Sequence, residues 1–335
     1  MSNKNKKHHK KESKKYPKIS IVMLNYNGLK YIKKTIPPLL DMSYPDYEIL
    51  IVDNGSTDGS IEYIKKQKKI RLVKNKRNLG YSKGKNIGVE NSKGKYVLLL
   101  DNDILVRNKN IIEELLKTHK KEKNSGFVYV PVKDRNKKKI NAYGLFFTFY
   151  GSNLNLKPLK FNSIKKIKNK YIPSPDGKNM FFRKEVWEEL GGFDESQSFN
   201  LDDIDIGPRA WIYGYKNILH NKDFFMHLGI GHTFSAEEYS KRFKLLFSGH
   251  STSMFKNFKT KNIIKIFPVF FIFCFIKSIR YSYKKRSLRV FLAFLSSIIL
   301  FMKKIKNTLK KRKEIQFKRK VNNDIFLKIK PPKQK

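Results

Sequence analysis

Lys95-Tyr96-Val97-Leu98-Leu99-Leu100-Asp101-Asn102-Asp103 is a run of large apolar residues closed by two carboxylates one residue apart. It is short for a helix and lacks polar alternation, so it reads as a strand buried on both faces in a parallel sheet. In an open α/β sheet, ligands gather at the carboxyl ends of the strands. Two carboxylates this close repel, and a hard divalent cation taking oxygen ligands is the usual compensation. The same pair would equally suit capping of a helix that begins near Asn108, so the choice depends on the residues upstream.

Three earlier stretches repeat the design. Ile19 to Leu24 reads as a strand, followed by Asn25-Tyr26-Asn27-Gly28 and a helical pattern from Leu29 to Leu40 that ends around Pro37-Pro38. Tyr47 to Val52 leads into Asp53-Asn54-Gly55-Ser56-Thr57-Asp58-Gly59, and Ile70 to Val73 precedes Asn78 to Gly88 and another helix start. Four such β/α units predict a parallel sheet with right-handed crossovers. The strand ends then offer Asn25 and Asn27, the carboxylate of Asp53, the polar groups of Asn78, Lys85 and Asn86, and finally the acid pair. Together they suit a nucleotide diphosphate: Asp53 accepts from base or ribose, Lys85 meets phosphate charge, and a metal on Asp103 bridges the phosphates. No G-x-x-x-x-G-K-[ST] or G-x-G-x-x-G follows a strand, which argues against P-loop and dinucleotide-binding chemistry.

The chain of 335 residues is 40% hydrophobic and carries a formal net charge of +45 at pH 7. That charge suits nucleic acid, an anionic membrane or a phosphorylated substrate, and composition does not choose among them. Cys274 is the single cysteine, which excludes an intramolecular disulfide and a cysteine-cluster zinc site. Residues 1–17 form a Lys-rich tail too polar to pack, with no apolar segment of the kind a secretory leader needs.

Beyond the acid pair, Phe127 to Val132 and Ile140 to Phe147 read as strands, and residues 151–171 as a flap beside the ligand edge. A second acidic region runs from Asp194-Glu195 to Leu201-Asp202-Asp203-Ile204-Asp205-Ile206-Gly207-Pro208-Arg209. Asp202 or Asp203 could serve as a general base or could cap a helix. Pro208 places the start of that helix near Gly207. After Tyr239 come two uncharged apolar runs, Ile266 to Ile276 and Val290 to Met302, each shorter than a spanning helix requires and flanked by Lys and Arg. They suit a helical hairpin lying in a membrane interface, or a helix pair packed on the main domain.

Ile19 to Asn27, Val52 to Ser60, Arg77-Asn78-Leu79-Gly80 and Leu100 to Asp103 together resemble the family-2 glycosyltransferases, especially the rhamnosyltransferase-like branch, over about residues 18–235. The resemblance implies an α/β GT-A fold, a Rossmann-like, mostly parallel sheet flanked by helices. It also implies inverting transfer of a sugar from a nucleotide-sugar donor. By that likeness Asp53, with Asn54 and Gly55, would meet the donor base, Asp101 and Asn102 would lie near the ribose, and Asp103 would ligate Mg²⁺ or Mn²⁺. His227, in preference to His232, would be a further metal contact. Asp203 becomes the base by spacing, with Asp202 standing where the family has Glu. Gly177, Asp194 and Glu195 fall to the acceptor side. The expected layout is the tail, a catalytic domain over 18–240 and a basic helical region over 241–335, at the cytoplasmic face of a membrane with an anionic surface. The acceptor would be a glycan or lipid-linked, with no specific nucleic acid as partner. The rival readings are a polyanion-binding protein and a nucleotide-sugar-binding domain without turnover.

Overall fold

The computed structural model describes residues 16–148, 156–197, 201–229, 235–284 and 286–332. Along the chain lie β1 (Ile19–Asn25), α1 (Leu29–Leu40), β2 (Tyr47–Asp53), α2 (Ser60–Lys65), β3 (Ile70–Lys74), α3 (Tyr81–Asn91), β4 (Tyr96–Asp101), β5 (Ile104–Leu105) and α4 (Ile111–Lys120). They are followed by β6 (Ser125–Tyr129), β7 (Val132–Asp134), α5 (Phe161–Lys165), β8 (Asn179–Arg183), α6 (Lys184–Leu190), α7 (Asp202–Ile212), β9 (Lys216–Leu219) and β10 (Phe225–His227). Three long helices close the order: α8 (Ala236–Asn257), α9 (Thr260–Lys284) and α10 (Arg289–Phe317). The boundary expected after residue 240 falls inside α8.

The central strand is β4. It sits in a seven-stranded sheet of order β3-β2-β1-β4-β8-β6-β9, and Val97 to Leu100 have no exposed surface. β1 runs parallel to β2 and β4, and β2 to β3, as the repeated β/α units require. Register then aligns the polar strand ends: Asn25 lies opposite Asp53, and Leu24 opposite Asp101. β8 runs antiparallel to β4, so it starts where β4 ends. The Asp101 N–H donates to the Lys178 carbonyl at 3.0 Å, and Gly177 is thereby brought to the acid pair. A second sheet, β5-β10-β7, pairs His227 with Ile104 and with Asp134.

Several expectations from sequence need correction. Helix α7 begins at Asp202, not near Gly207, and contains Pro208. Proline cannot donate to the carbonyl four residues back. That carbonyl, on Ile204, instead accepts the Ser253 hydroxyl of α8 at 2.9 Å, which repairs the ladder from outside. Pro37 and Pro38 likewise sit inside α1; Lys33 and Lys34, whose carbonyls lose their donors, are on its exposed side where water is available. Ile140 to Phe147 forms only isolated bridges, from Ile140 to Leu159, Ala142 to Val132 and Leu145 to Ser174. Of the expected flap, residues 156–171 are pinned by α5 and the fully buried Ile164, and residues 151–155 lie outside the described residues. The two short apolar runs each belong to a longer helix, and among the described residues α9 alone is long and apolar enough to cross a membrane.

Candidate active site

The site is built on the carboxyl edge of β1, β2 and β4. The Asn25 amide donates to Asp53 at 2.8 Å and accepts from the Asn102 amide at 2.8 Å, so one side chain ties three strand ends together. Asp53 is fully buried and also accepts the Gly55 and Ser56 N–H groups at 3.1 and 2.8 Å, which shapes the turn after β2. Gly55 has φ +80, and a Cβ there would sit 3.0 Å from the Arg77 backbone, so this turn needs glycine. Asn27 accepts the Thr57 N–H at 2.9 Å, and Asn54 donates to the side chain of Asn78 at 3.3 Å. The sequence-selected polar residues of the first three strand ends therefore form one connected surface.

Lys85 departs from its expected role. It is fully buried, and its ammonium lies 2.6 Å from Asp101, 2.5 Å from the Tyr81 hydroxyl and 2.8 Å from the Gly177 carbonyl. Its donors are spent inside the protein, so it neutralises Asp101 and does not reach outward to phosphate. Burial still raises the Asp101 pKa despite the pull of Lys85, and neighbouring Asp103 adds to the rise. Asn86 also turns away, gripping Phe193 through its backbone N–H and carbonyl and meeting Glu195 at 3.2 Å. The Tyr81 hydroxyl bridges Asp101 at 2.9 Å and the Gly177 carbonyl at 2.7 Å. Sequence reading missed Tyr81; its place one turn before Lys85 on a helix facing the acid pair was the available signal.

Asp103 meets His227 at 3.0 Å through Nε2, while Nδ1 of the same ring meets Asp134 at 2.9 Å. Both contacts follow from the short sheet, which sets β10 between β5 and β7. Burial alone would lower the His227 pKa, but the hydrogen bonds to Asp103 and Asp134 outweigh it and lift it to about 9. The trio does not converge on one point, since the carboxylates occupy opposite ring nitrogens, and no metal cage of three His, Cys, Asp or Glu side chains exists among the described residues. A two-ligand site nevertheless suits Mg²⁺ or Mn²⁺, which keep most of their shell for water and phosphate oxygens. The 3.0 Å between Asp103 and His227 is that of their hydrogen bond, which a bound cation would replace. Asp134, also missed from sequence, orients the imidazole from behind. His232 lies outside the described residues.

The two candidate bases differ in access. Asp202 is 1% exposed and accepts from the Ser82 hydroxyl, and its other oxygen has no partner among the described residues. Asp203 is partly exposed; it accepts the Gly177 N–H at 3.1 Å and the Ile204 N–H at 2.8 Å. The second bond lies within the first turn of α7, whose N-cap is Leu201 with no side-chain cap, so the acids complement the helix start by charge and do not cap it. Burial lifts Asp202 to about 6, and burial together with the nearby Asp176 carboxylate lifts Asp203 to about 7. Gly177 thus joins the halves: its carbonyl is held by Tyr81 and Lys85, and its N–H by Asp203.

Asp194 lies apart from this arrangement. Its oxygens sit 2.5 Å from Lys256 of α8 and 2.5 Å from Lys311 of α10, and these ammonium groups hold its pKa far below the ordinary value in spite of burial. Glu195 instead meets Lys83 at 3.2 Å on the surface.

Residues 20–191, just over half of the chain, match Glycosyl transferase family 2. An uncharacterized glycosyltransferase of Haemophilus influenzae is 37% identical over 103 residues, which cover 30% of this chain and 41% of that protein. The putative teichuronic acid biosynthesis glycosyltransferase TuaG of Bacillus subtilis is 36% identical over 91 residues, covering 26% of this chain and 36% of TuaG. The aligned part is thus less than half of either relative. Among solved structures, S. aureus TarS 1-349 in complex with UDP-GlcNAc superposes with a TM-score of 0.60 at 14% identity, covering 90% of this chain and 87% of that one. The mannosyltransferase PcManGT of Pyrobaculum calidifontis, in complex with GDP-Man and Mn²⁺, gives 0.55 at 16% identity, covering 91% and 86%. At such identities the likeness establishes the shared fold, a sheet flanked by helices of the GT-A type.

Proposed function

The chain belongs to glycosyl transferase family 2, and on that premise we propose that it transfers a sugar, with inversion, from a nucleotide-diphosphate sugar to a hydroxyl of a glycan or lipid-linked acceptor. The observation that carries the reading is Asp203: a partly exposed carboxylate with its pKa near 7, joined through the Gly177 peptide to the Asp101 edge. There it takes the proton of the acceptor hydroxyl as that oxygen attacks the anomeric carbon. Asp202, tied to Ser82, sets the start of α7 and so the position of its neighbour. Asp53, Asn25 and Asn102 form the floor for the nucleoside. Lys85 and Tyr81 hold Asp101 and Gly177 in place.

Asp103 and His227 are the residues that would hold Mg²⁺ or Mn²⁺. Such an ion supplies charge neutralisation to the diphosphate leaving group. Asp103→Asn is expected to weaken divalent-dependent nucleotide binding at least tenfold while the melting temperature stays within a few degrees. Calorimetry that gives equal metal-dependent affinity for the variant and the parent removes Asp103 from this role.

We place the enzyme in the rhamnosyltransferase-like branch, with a catalytic part that runs from residue 18 through α8, working at the cytoplasmic face of a membrane. The test is a screen of donor hydrolysis with Mg²⁺ or Mn²⁺, starting from UDP- and GDP-linked sugars, since TarS binds UDP-GlcNAc and PcManGT binds GDP-Man. Nucleotide-linked deoxyhexoses complete the set. Turnover of none, by a folded protein that still binds nucleotide, would favour a sugar-nucleotide-binding domain instead.

A further inference from the structure

We infer that the outward face of the α9–α10 hairpin is a docking surface for an anionic lipid bilayer. A surface helix of a water-soluble domain turns its apolar stripe inward. Here both helices carry a second stripe turned outward. On α9 it is Ile272, Ile276, Ile279 and Tyr283; on α10 it is Leu288, Leu292, Leu295, Ile299 and Met302. The spacing is four, three and four residues on α9, and four, three, four and three from Leu288 at the N-cap of α10 to Met302, so each stripe is one continuous face. Exposures are 56% for Ile272, 57% for Ile276, 55% for Leu292 and 58% for Ile299, far beyond scattered surface leucines. The opposite faces, with Phe270, Cys274 and Ser278 on α9 and Val290, Phe294 and Ser297 on α10, are buried.

Charge identifies the occupant. No Asp or Glu occurs between Glu238 and Glu314. Arg280, Lys284, Arg286 and Arg289 are all exposed around the hairpin tip. Lysine and arginine stems beside an apolar face carry their charges to the headgroup level, where each contributes attraction to anionic lipid. At the tip a cleft of about 860 Å³ has Phe275, Ile279, Leu288 and Phe291 in its wall and Lys284 and Arg286 at its rim, a shape for a hydrocarbon chain beneath an anionic headgroup. Arg286 itself has φ +46, a conformation that residues other than glycine adopt at a cost.

The hairpin lies on the bilayer, because its far end is rooted in the catalytic body. Lys304 donates to the Ser196 carbonyl at 2.8 Å, Lys311 pairs with Asp194, and Arg312 donates to the Phe255 and Phe258 carbonyls at 2.6 and 2.7 Å. This inference deepens the membrane location proposed above but not the chemistry, and the two are tested separately.

The experiment is co-sedimentation of the full chain with vesicles of phosphatidylcholine alone and with added phosphatidylglycerol. Binding is expected only with the anionic lipid. Ile276→Glu combined with Leu292→Glu should weaken it roughly tenfold or more, since two buried aliphatic side chains are lost from the interface. Phe317→Glu, a change at a residue 90% exposed but at the far end of α10, well past Met302 and beside the catalytic body, should leave it unchanged. Retained nucleotide affinity shows that the variants are folded. Equal binding by the double variant, or binding by neither vesicle, overturns the proposal. So does a dimer of the parent chain, seen by sedimentation equilibrium, that the double variant abolishes, because the face would then pair with a second copy.

Discussion

Asp203→Asn is expected to lower turnover by roughly two to four orders of magnitude while donor affinity changes little. The substitution keeps the size of the side chain and one acceptor oxygen, so it removes the capacity to take a proton and gives up one of the two bonds now accepted from the Gly177 and Ile204 N–H groups. Burial and the Asp176 carboxylate raise the parent group to about 7, so its rate should climb with pH and level off above that value. The variant should lose this limb. Stability moves the opposite way. Between the ordinary carboxylate pKa and about 7 the folded state binds a proton that the unfolded state has released, so Asp203 costs stability as pH rises through that window. Asp203→Asn should therefore flatten the fall in stability between the ordinary carboxylate value and about pH 7. Asp202→Asn, which keeps an acceptor for Ser82, should cost less activity. Single-turnover rates across pH 5 to 9 check the activities and urea unfolding over the same range checks the stability, and near-parental transfer by the Asp203 variant would remove it from the mechanism.

Lys256→Met should destabilise the fold by about 3–5 kcal/mol, the cost of breaking a buried ion cluster from one side. Lys256 is 1% exposed and bridges Asp194 at 2.5 Å and Asp205 at 2.9 Å; its loss leaves two acids in the interior with a reduced set of cations. Arg209 still pairs with Asp205, and Lys311 with Asp194, which sets the upper bound. Lys311→Met should cost distinctly less, since that side chain is one-third exposed. Both carboxylates are held below their ordinary pKa by these cations. Their contribution is thus present above the ordinary carboxylate value and lost as pH falls below it. Urea unfolding at pH 7 measures the difference between the two variants, and equal small losses would mean that the cluster is not what fastens α8 to α7.

The amino-acid sequence alone determined the parallel half of the sheet. Four apolar runs, each ending in a polar turn and a helix start, leave few other ways to bury Val97 to Leu100 on both faces, and strand identity is a matter of neighbouring residues. The same locality made Asn25, Asp53, Asp101 and Asp103 legible, because parallel strands carry their last residues to one edge. Partners from distant segments were not legible. Whether Lys85 meets a phosphate or Asp101, whether Asp194 meets an acceptor or Lys256, and which groups flank His227 all depend on register between strands and on helix docking. No local pattern encodes these. Pro208 was misread for the same reason: the donor that satisfies the Ile204 carbonyl is Ser253, on another helix. Periodicity also showed that the C-terminal runs are apolar without showing which face turns outward. That was decided by the tertiary structure, because α8 covers one side of the hairpin, with Phe247 against Phe270 and Phe294, and leaves the other uncovered, and an apolar stripe has a direction only once its neighbours are in place.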